Sequence, residues 1–412
     1  MKAARKDAMD RREFLRTATA SAAGITVLAS GTATSYAAND RFEVGIIGCG
    51  GRGIWIGDLF QKHANAKVVA VHDYFKDRVD LAGKQLDVPE DRRYVGLEGY
   101  KDLVASDLDA VAVESPPYFH PEQTVVALEA GKHVYLAKPI AVDVPGCLAI
   151  MEAAKAHAGK LSVLVDFQTR NNELFREAAR RIHEGAIGTP VYAQAYYHCD
   201  RLGKRSDQGG EIGRLRNWCF DIALSGDIIV EQNIHVLDVA NWFLGAHPVE
   251  ARGCGARRGR TDIGDCWDHF IAQYRYPNDV LLSFSSQQFA PGCDDLCTRV
   301  FGTEGAADAH YGGNVSIQSR KDHWPGGETN RIYQEGAVNN MKDFRAGIES
   351  GNLINNAEDG GTSTLTAILG RMAAYTGEAV TWEQMLAAGE ALDPKLDLPE
   401  DGPYTKAWLR QG

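Results

Sequence analysis

One stretch constrains this chain more than any other. A short apolar run at 42–47 leads directly into Gly48-Cys49-Gly50-Gly51-Arg52-Gly53. A run of that length reads as a buried strand, and the residues after the glycines read as a helix reaching about His63. Glycines spaced G-x-G-x-x-G mean little alone; between a strand and a helix they mark a turn that cradles a pyrophosphate. Gly48 allows the tight turn, Gly50 lets backbone approach a phosphate, and Gly53 lets helix pack on strand. Gly51 and Arg52 belong to the same turn, at a helix N-terminus whose amides attract anions. Cys49 fits there as small apolar packing. A second apolar run, 67–72, ends at Asp73, twenty residues beyond Gly53. A carboxylate at that distance accepts hydrogen bonds from both adenosine-ribose hydroxyls and repels a 2′-phosphate. The residues therefore point to NAD rather than NADP, with Arg78 the one nearby group that could serve NADP.

The alternation continues along the chain. Apolar runs at 109–114, 133–136 and 161–166 are separated by helical patterns at about 121–129 and 148–157. Strands alternating with helices over short connections predict a parallel, doubly wound sheet. After Asp166 the pattern changes. A helix at about 173–183 leads to strand-like residues 190–198, and β-branched and aromatic runs follow at 249–256, 268–276, 280–287 and 298–301. Turn residues such as Pro277-Asn278-Asp279 separate them, which predicts a large, mainly antiparallel open sheet. One strong helix is expected over 228–243, and two more at about 340–349 and 361–376. The fold class is thus α/β: an N-terminal Rossmann domain (39–165), an α+β domain (166–385) and a C-terminal tail (386–412). Segment 201–216, rich in glycine and charge, is a candidate lid.

The first 38 residues differ in kind. Asp10-Arg11-Arg12-Glu13-Phe14-Leu15 precedes a weakly apolar stretch of small residues at 17–36. This looks like a twin-arginine export signal. It predicts a periplasmic or otherwise exported protein that engages the twin-arginine machinery. The stretch is too short and too rich in Ser, Thr and Gly for a spanning helix, so no stable membrane insertion is expected. That pathway moves folded proteins, so a tightly held cofactor carried out with the chain is expected. With 44 Lys and Arg against 55 Asp and Glu, and no basic block beyond the first residues, no nucleic-acid partner is expected. The eight cysteines include no CxxC pair, and Cys293 and Cys297 lack histidines at ligand spacing, so no metal site is expected.

Three further stretches resemble the Gfo/Idh/MocA oxidoreductases, and the resemblance covers about 42–383. Glu114-Ser115-Pro116-Pro117-Tyr118-Phe119-His120 is similar to the segment that family places under the nicotinamide. That likeness implies Ser115, Pro116, Pro117 and His120 as cofactor-pocket residues. Ala130-Gly131-Lys132-His133-Val134, followed by Ala137-Lys138-Pro139, resembles an AGKHV…EKP motif. Gly226 through Asp238 resembles a helix motif of the form GGxxxDxGxHxxD. Ala137 replaces the usual Glu, Glu231 the usual Asp, and the following Gly is read as Gln232; Lys138 and His235 are retained. Lys138 stands at a strand's carboxyl end, where open parallel sheets bind ligands. Glu231, His235 and Asp238 would share one face of an unbroken helix.

The resemblance implies hydride transfer at a ring carbon of a sugar, polyol or glycoside. Lys138 would polarise the substrate oxygen beside the cofactor, His235 act as general base or acid, and Glu231 orient substrate or relay a proton. Asp166, Gln168, Arg170, Trp218 and Asp238 are candidate substrate contacts, and Tyr196 and Tyr197 candidates for stacking on a sugar ring. Two other readings stay open: a glycoside hydrolase or lyase that recycles its NAD internally, and a non-catalytic carbohydrate- or dinucleotide-binding protein. The second sheet offers a broad face for self-pairing, so a homo-oligomer, dimer or tetramer, is expected.

Overall fold

Six short runs assemble into one parallel sheet: β1 (Phe42–Ile47), β2 (Ala66–Asp73), β3 (Arg93–Val95), β4 (Ala110–Val113), β5 (His133–Ala137) and β6 (Val163–Asp166). Their order is β3-β2-β1-β4-β5-β6. Helices cover both faces, so the central strands must be apolar throughout; all four residues of β4 are fully buried. The winding reverses between β1 and β4, which creates the switch point where such sheets hold ligands. Strand β3 was not anticipated, because three half-buried residues make no apolar run. The computed structural model describes residues 41–403, so the export-signal reading falls outside the described residues, as do residues 404–412.

Nine strands form the second sheet: β7 (Pro190–Cys199), β8 (Glu250–Ala256), β9 (His269–Arg275), β10 (Leu281–Gln288), β11 (Asp295–Gly302), β12 (Gly305–His310), β13 (Asn314–Ser319), β14 (Trp324–Glu328) and β15 (Val380–Thr381). Their order is β14-β13-β12-β11-β7-β10-β9-β8-β15. Neighbours pair antiparallel except β7 and β10, which run parallel. The fold class is therefore the expected one, a Rossmann sheet followed by a mainly antiparallel sheet. Helices Glu173–His183, Ile234–Leu244 and Ala357–Thr376 pack on one face. The other face is open, and Ile271 and Leu281 stand half-exposed on it.

The helix expected over 228–243 is two. Asp227 caps Ile228–Glu231, with its Oδ1 accepting from the Ile228 amide at 2.6 Å. The chain then breaks at Gln232 and Asn233 before Ile234–Leu244 begins. Counted along the motif, the glycine position is Asn233 rather than Gln232. Asn233 is buried, and neither polar atom of its side chain finds a hydrogen-bond partner.

Helix Ile332–Ser350 returns to the first domain and packs Phe344 edge-on against Phe42, Phe60 and Tyr135. The chain later crosses the Rossmann domain once more. The Leu97 amide donates to the Glu400 carbonyl at 2.8 Å. Leu396 and Leu398 pack against a small cluster of Tyr74, Phe75, Ile212, Leu215 and Leu224, separate from both main cores. Among the described residues, no helix is long and apolar enough to cross a membrane.

Candidate active site

The switch point opens into a cavity of about 650 Å³. Its wall runs from Gly48, Gly50, Gly51, Arg52 and Asp73 to Ala137, Lys138, Gln168, Trp218, Glu231 and His235. Gly48 has φ +95°, and a Cβ there would lie 2.5 Å from the Ser115 amide nitrogen. A Cβ on Gly53 would lie 1.9 Å from the Gly48 carbonyl oxygen. Those two positions are therefore closed to side chains, which leaves their backbone bare beside a phosphate site. Asp73 is fixed at the end of β2 by the amides of Cys49 (2.8 Å) and Phe75 (2.9 Å). Burial raises its pKa, while those two amides and Arg78 oppose the rise. A bare glycine cradle with a carboxylate beside it fits NAD, and the Arg78 guanidinium reaches over Gly50.

The segment after β4 shapes the cavity floor. Pro116, Pro117 and His120 line it with Ser115, whose hydroxyl donates to Gln123 Oε1 at 2.6 Å. His120 places one ring nitrogen 2.8 Å from the Ser115 carbonyl and the other 2.9 Å from the Pro139 carbonyl. Burial lowers its pKa to about 4 against the pull of those two carbonyls, and the neutral ring, with a single N–H, donates to only one of them.

Lys138 follows β5, and its Nζ donates to the Glu231 carbonyl at 2.5 Å; the Glu231 carboxylate lies 3.7 Å away. Helix Ile228–Glu231 ends at Glu231, so the carbonyl that Lys138 bonds is one of those left over at a helix C-terminus. Enclosure lowers the Lys138 pKa, and Glu231 works against that shift. His235 is buried beside Tyr197 and Tyr311, with Nδ1 lacking a partner. Burial, then Lys138 and Arg52, hold its pKa well below the ordinary value, so the imidazole rests neutral, with an unprotonated ring nitrogen that can accept a hydrogen bond.

Other candidates divide. Gln168, Trp218 and Tyr197 line the cavity, and so do Leu202, Arg205 and Leu215 of the candidate lid. Tyr196 alternates to the opposite face of β7, under the Arg299 guanidinium. Asp166 binds Arg52 and the Asn340 amide (2.7 Å) and is no part of the wall. Arg170 and Asp238 also lie outside it, joined to each other at 2.8 and 3.0 Å, with Ser363 donating to Asp238. These three candidate substrate contacts are thus engaged by protein groups, and Asp238 does not share the cavity face with His235.

Sequence reasoning passed over Glu114. It lines the cavity, yet its side chain is 0% exposed and neither oxygen accepts a hydrogen bond. Arg52 Nε lies 3.2 Å from Oε2 without the alignment of a hydrogen bond. Burial pushes its pKa up to about 8 with help from Asp166, against the pull of Arg52 and Lys138. The available signal was a lone carboxylate ending an otherwise apolar strand at the switch point.

The reason for expecting no metal also needs correcting. Cys297 does have a histidine beside it: His310 sits directly opposite on β12, and Asp295 shares their face. Their donor atoms lie within 4.8 Å of one another. A cation is already in place, because the Arg299 guanidinium pairs with Asp308 at 2.9 Å and approaches His310 Nε2 at 3.3 Å.

Comparison with known proteins places this geometry. Residues 42–165 match a family described as oxidoreductase family, NAD-binding Rossmann fold, and residues 175–308 match the GFO/IDH/MocA C-terminal domain. Inositol 2-dehydrogenases of Burkholderia lata and Burkholderia cenocepacia are 32% and 30% identical over 249 residues, 59% of this chain. The chain spans 64% of the length of these curated relatives. Scyllo-inositol dehydrogenase from Lactobacillus casei, solved with NAD(H) and scyllo-inositol, is 23% identical with a TM-score of 0.68. That alignment covers 84% of this chain and 100% of the other. Levoglucosan dehydrogenase, in complex with NADH and levoglucosan, is 19% identical with a TM-score of 0.69, over 84% and 100%. These solved structures share the fold. With its NAD-binding domain and its C-terminal domain both matched, the chain belongs to the GFO/IDH/MocA oxidoreductase family.

Proposed function

We propose that the protein is an NAD-dependent oxidoreductase transferring hydride at a ring carbon of a sugar or polyol. One observation carries this: the glycine turn, Asp73, Lys138 and His235 share one cavity wall. The family's NAD supplies a hydride acceptor there. Lys138 is placed to donate a hydrogen bond to the substrate oxygen and stabilise its developing charge, while neutral His235 takes the hydroxyl proton. The inositol and levoglucosan named for the relatives support a polyhydroxylated ring as the substrate class. Lys138→Ala and His235→Ala are each expected to lower kcat by about 100-fold or more while dinucleotide stays bound. Full turnover in both variants ends the scheme.

The Glu231 carboxylate beside Lys138 favours a second reading, redox-neutral cleavage of a glycoside. Oxidation of a ring carbon acidifies the neighbouring C–H; loss of that proton expels the leaving group, and hydride return regenerates the cofactor. A panel of sugars and aryl glycosides separates the two, since NADH accumulates in the first and aglycone without NADH in the second. The proposal extends to twin-arginine export with a retained cofactor, and to self-association through the open face bearing Ile271 and Leu281. Cell fractionation and sizing of the purified protein check these.

A further inference from the structure

We infer that Glu114 reads the redox state of the dinucleotide: its ionised carboxylate favours the cationic oxidised nicotinamide, and its protonated form the neutral reduced one. Glu114 follows β4 at the switch point, and its amide donates to the Ile47 carbonyl at 2.7 Å, which ties it to β1. Its carboxyl is sealed from solvent although the residue lines the cavity. Four titratable groups act on it from the elements around. Arg52 comes from helix Gly51–His63, Asp166 from the end of β6, Tyr135 from β5, and Lys138 from the loop after it.

Charge counting gives the consequence. Arg52 is one cation shared by two carboxylates, Asp166 and Glu114, whereas Lys138 is matched by Glu231. With Glu114 protonated the cluster is balanced. With Glu114 ionised it carries one negative charge too many, in a place where the carboxylate has no hydrogen bond to offset its burial. A cationic ring at the switch point supplies the missing charge, and the reduced ring does not. Binding the oxidised form therefore releases the proton of Glu114, and binding the reduced form leaves it on. The carboxyl titrates near pH 8 in the free protein. Affinity for the oxidised form thus rises with pH up to that point and levels off above it.

This inference rests on dinucleotide binding and not on the substrate, so it stands or falls apart from the reading above. The test measures dissociation constants of NAD+, NADH and ADP-ribose, the last lacking only the ring. For the unaltered protein, NAD+ affinity is expected to rise about ten-fold between about pH 6.5 and 8.5, with ADP-ribose flat. In Glu114→Gln the rise disappears and the NAD+ to NADH affinity ratio falls about ten-fold at the upper pH. Lys138→Met keeps the rise; its loss there would assign the titration to Lys138 and overturn the inference. An unchanged ratio and slope in Glu114→Gln would also overturn it. If that variant does not fold, calorimetry of the unaltered protein in two buffers of different ionisation heat decides. Proton release with NAD+ but not ADP-ribose upholds the inference, and equal release refutes it.

Discussion

Two buried arginine–carboxylate clusters in this protein are built for opposite ends. Outside the cavity, Arg170 grips Asp238 with its planar fork, Ser363 donates to the same carboxylate, and Trp242 lies 5.2 Å from the guanidinium. At the cavity, Arg52 is divided between Asp166 and Glu114, and the oxygens of Glu114 accept nothing. In the first cluster both oxygens of the buried Asp238 accept hydrogen bonds from within the protein, and a second carboxylate, Asp359, lies 3.5 Å from Arg170, which is how a buried charge is held at tolerable cost. The second leaves capacity unfilled beside the space where a ligand arrives. Buried charge alone therefore does not mark a functional site; buried charge left incomplete at a cavity does.

The contrast can be broken by mutation. Asp238→Ala removes the forked partner of Arg170, leaving it only the Asp359 carboxylate at 3.5 Å, and is expected to destabilise the fold by about 3 kcal/mol, with NAD affinity of the folded fraction little changed. A urea midpoint close to that of the unaltered protein would erase the distinction. Glu114→Gln is expected to act in the reverse direction. Its carboxyl titrates higher in the folded chain (about 8) than in the unfolded one, so its ionisation costs stability progressively as pH rises between those values. Removing it should raise stability by on the order of 1–2 kcal/mol at pH 8 and by almost nothing near about pH 4. Thermal melts at the two pH values read this, and a loss of stability at pH 8 would mean that Glu114 is as well satisfied as Asp238. The smallest effect belongs to Arg170→Lys, which keeps the charge but loses the fork and the stacking on Trp242. It should cost about 1 kcal/mol, which separates geometry from charge within the outer cluster.

Legibility in the sequence tracks the range of the forces involved. The β1–turn–helix–β2 unit was legible because its requirements are local: an apolar run, glycines where a Cβ would clash, and a carboxylate ending β2. Lys138 and His235 were legible through short motifs. The pairing of Arg170 with Asp238 was not, since it joins residues 68 positions apart. Nor was the apposition of Cys297 and His310, which only the β11–β12 register creates. The break at Gln232 and Asn233 escaped notice because both flanks are apolar and helix-forming, while the Asp227 cap and the bond from Lys138 act only in the folded chain. Strands β3 and β15 are too short to announce themselves and exist through their neighbours.

The crossing of the Rossmann domain by residues near Leu396, Leu398 and Glu400 has a consequence in time. Tyr74 and Phe75, beside Asp73, are synthesised long before the leucines that pack on their cluster. During translation the dinucleotide domain thus stands with one side uncovered until the segment around Leu396 and Glu400 has left the ribosome. A change at Leu396, Leu398 or Glu400 therefore acts on a stitch that closes a domain made long before it.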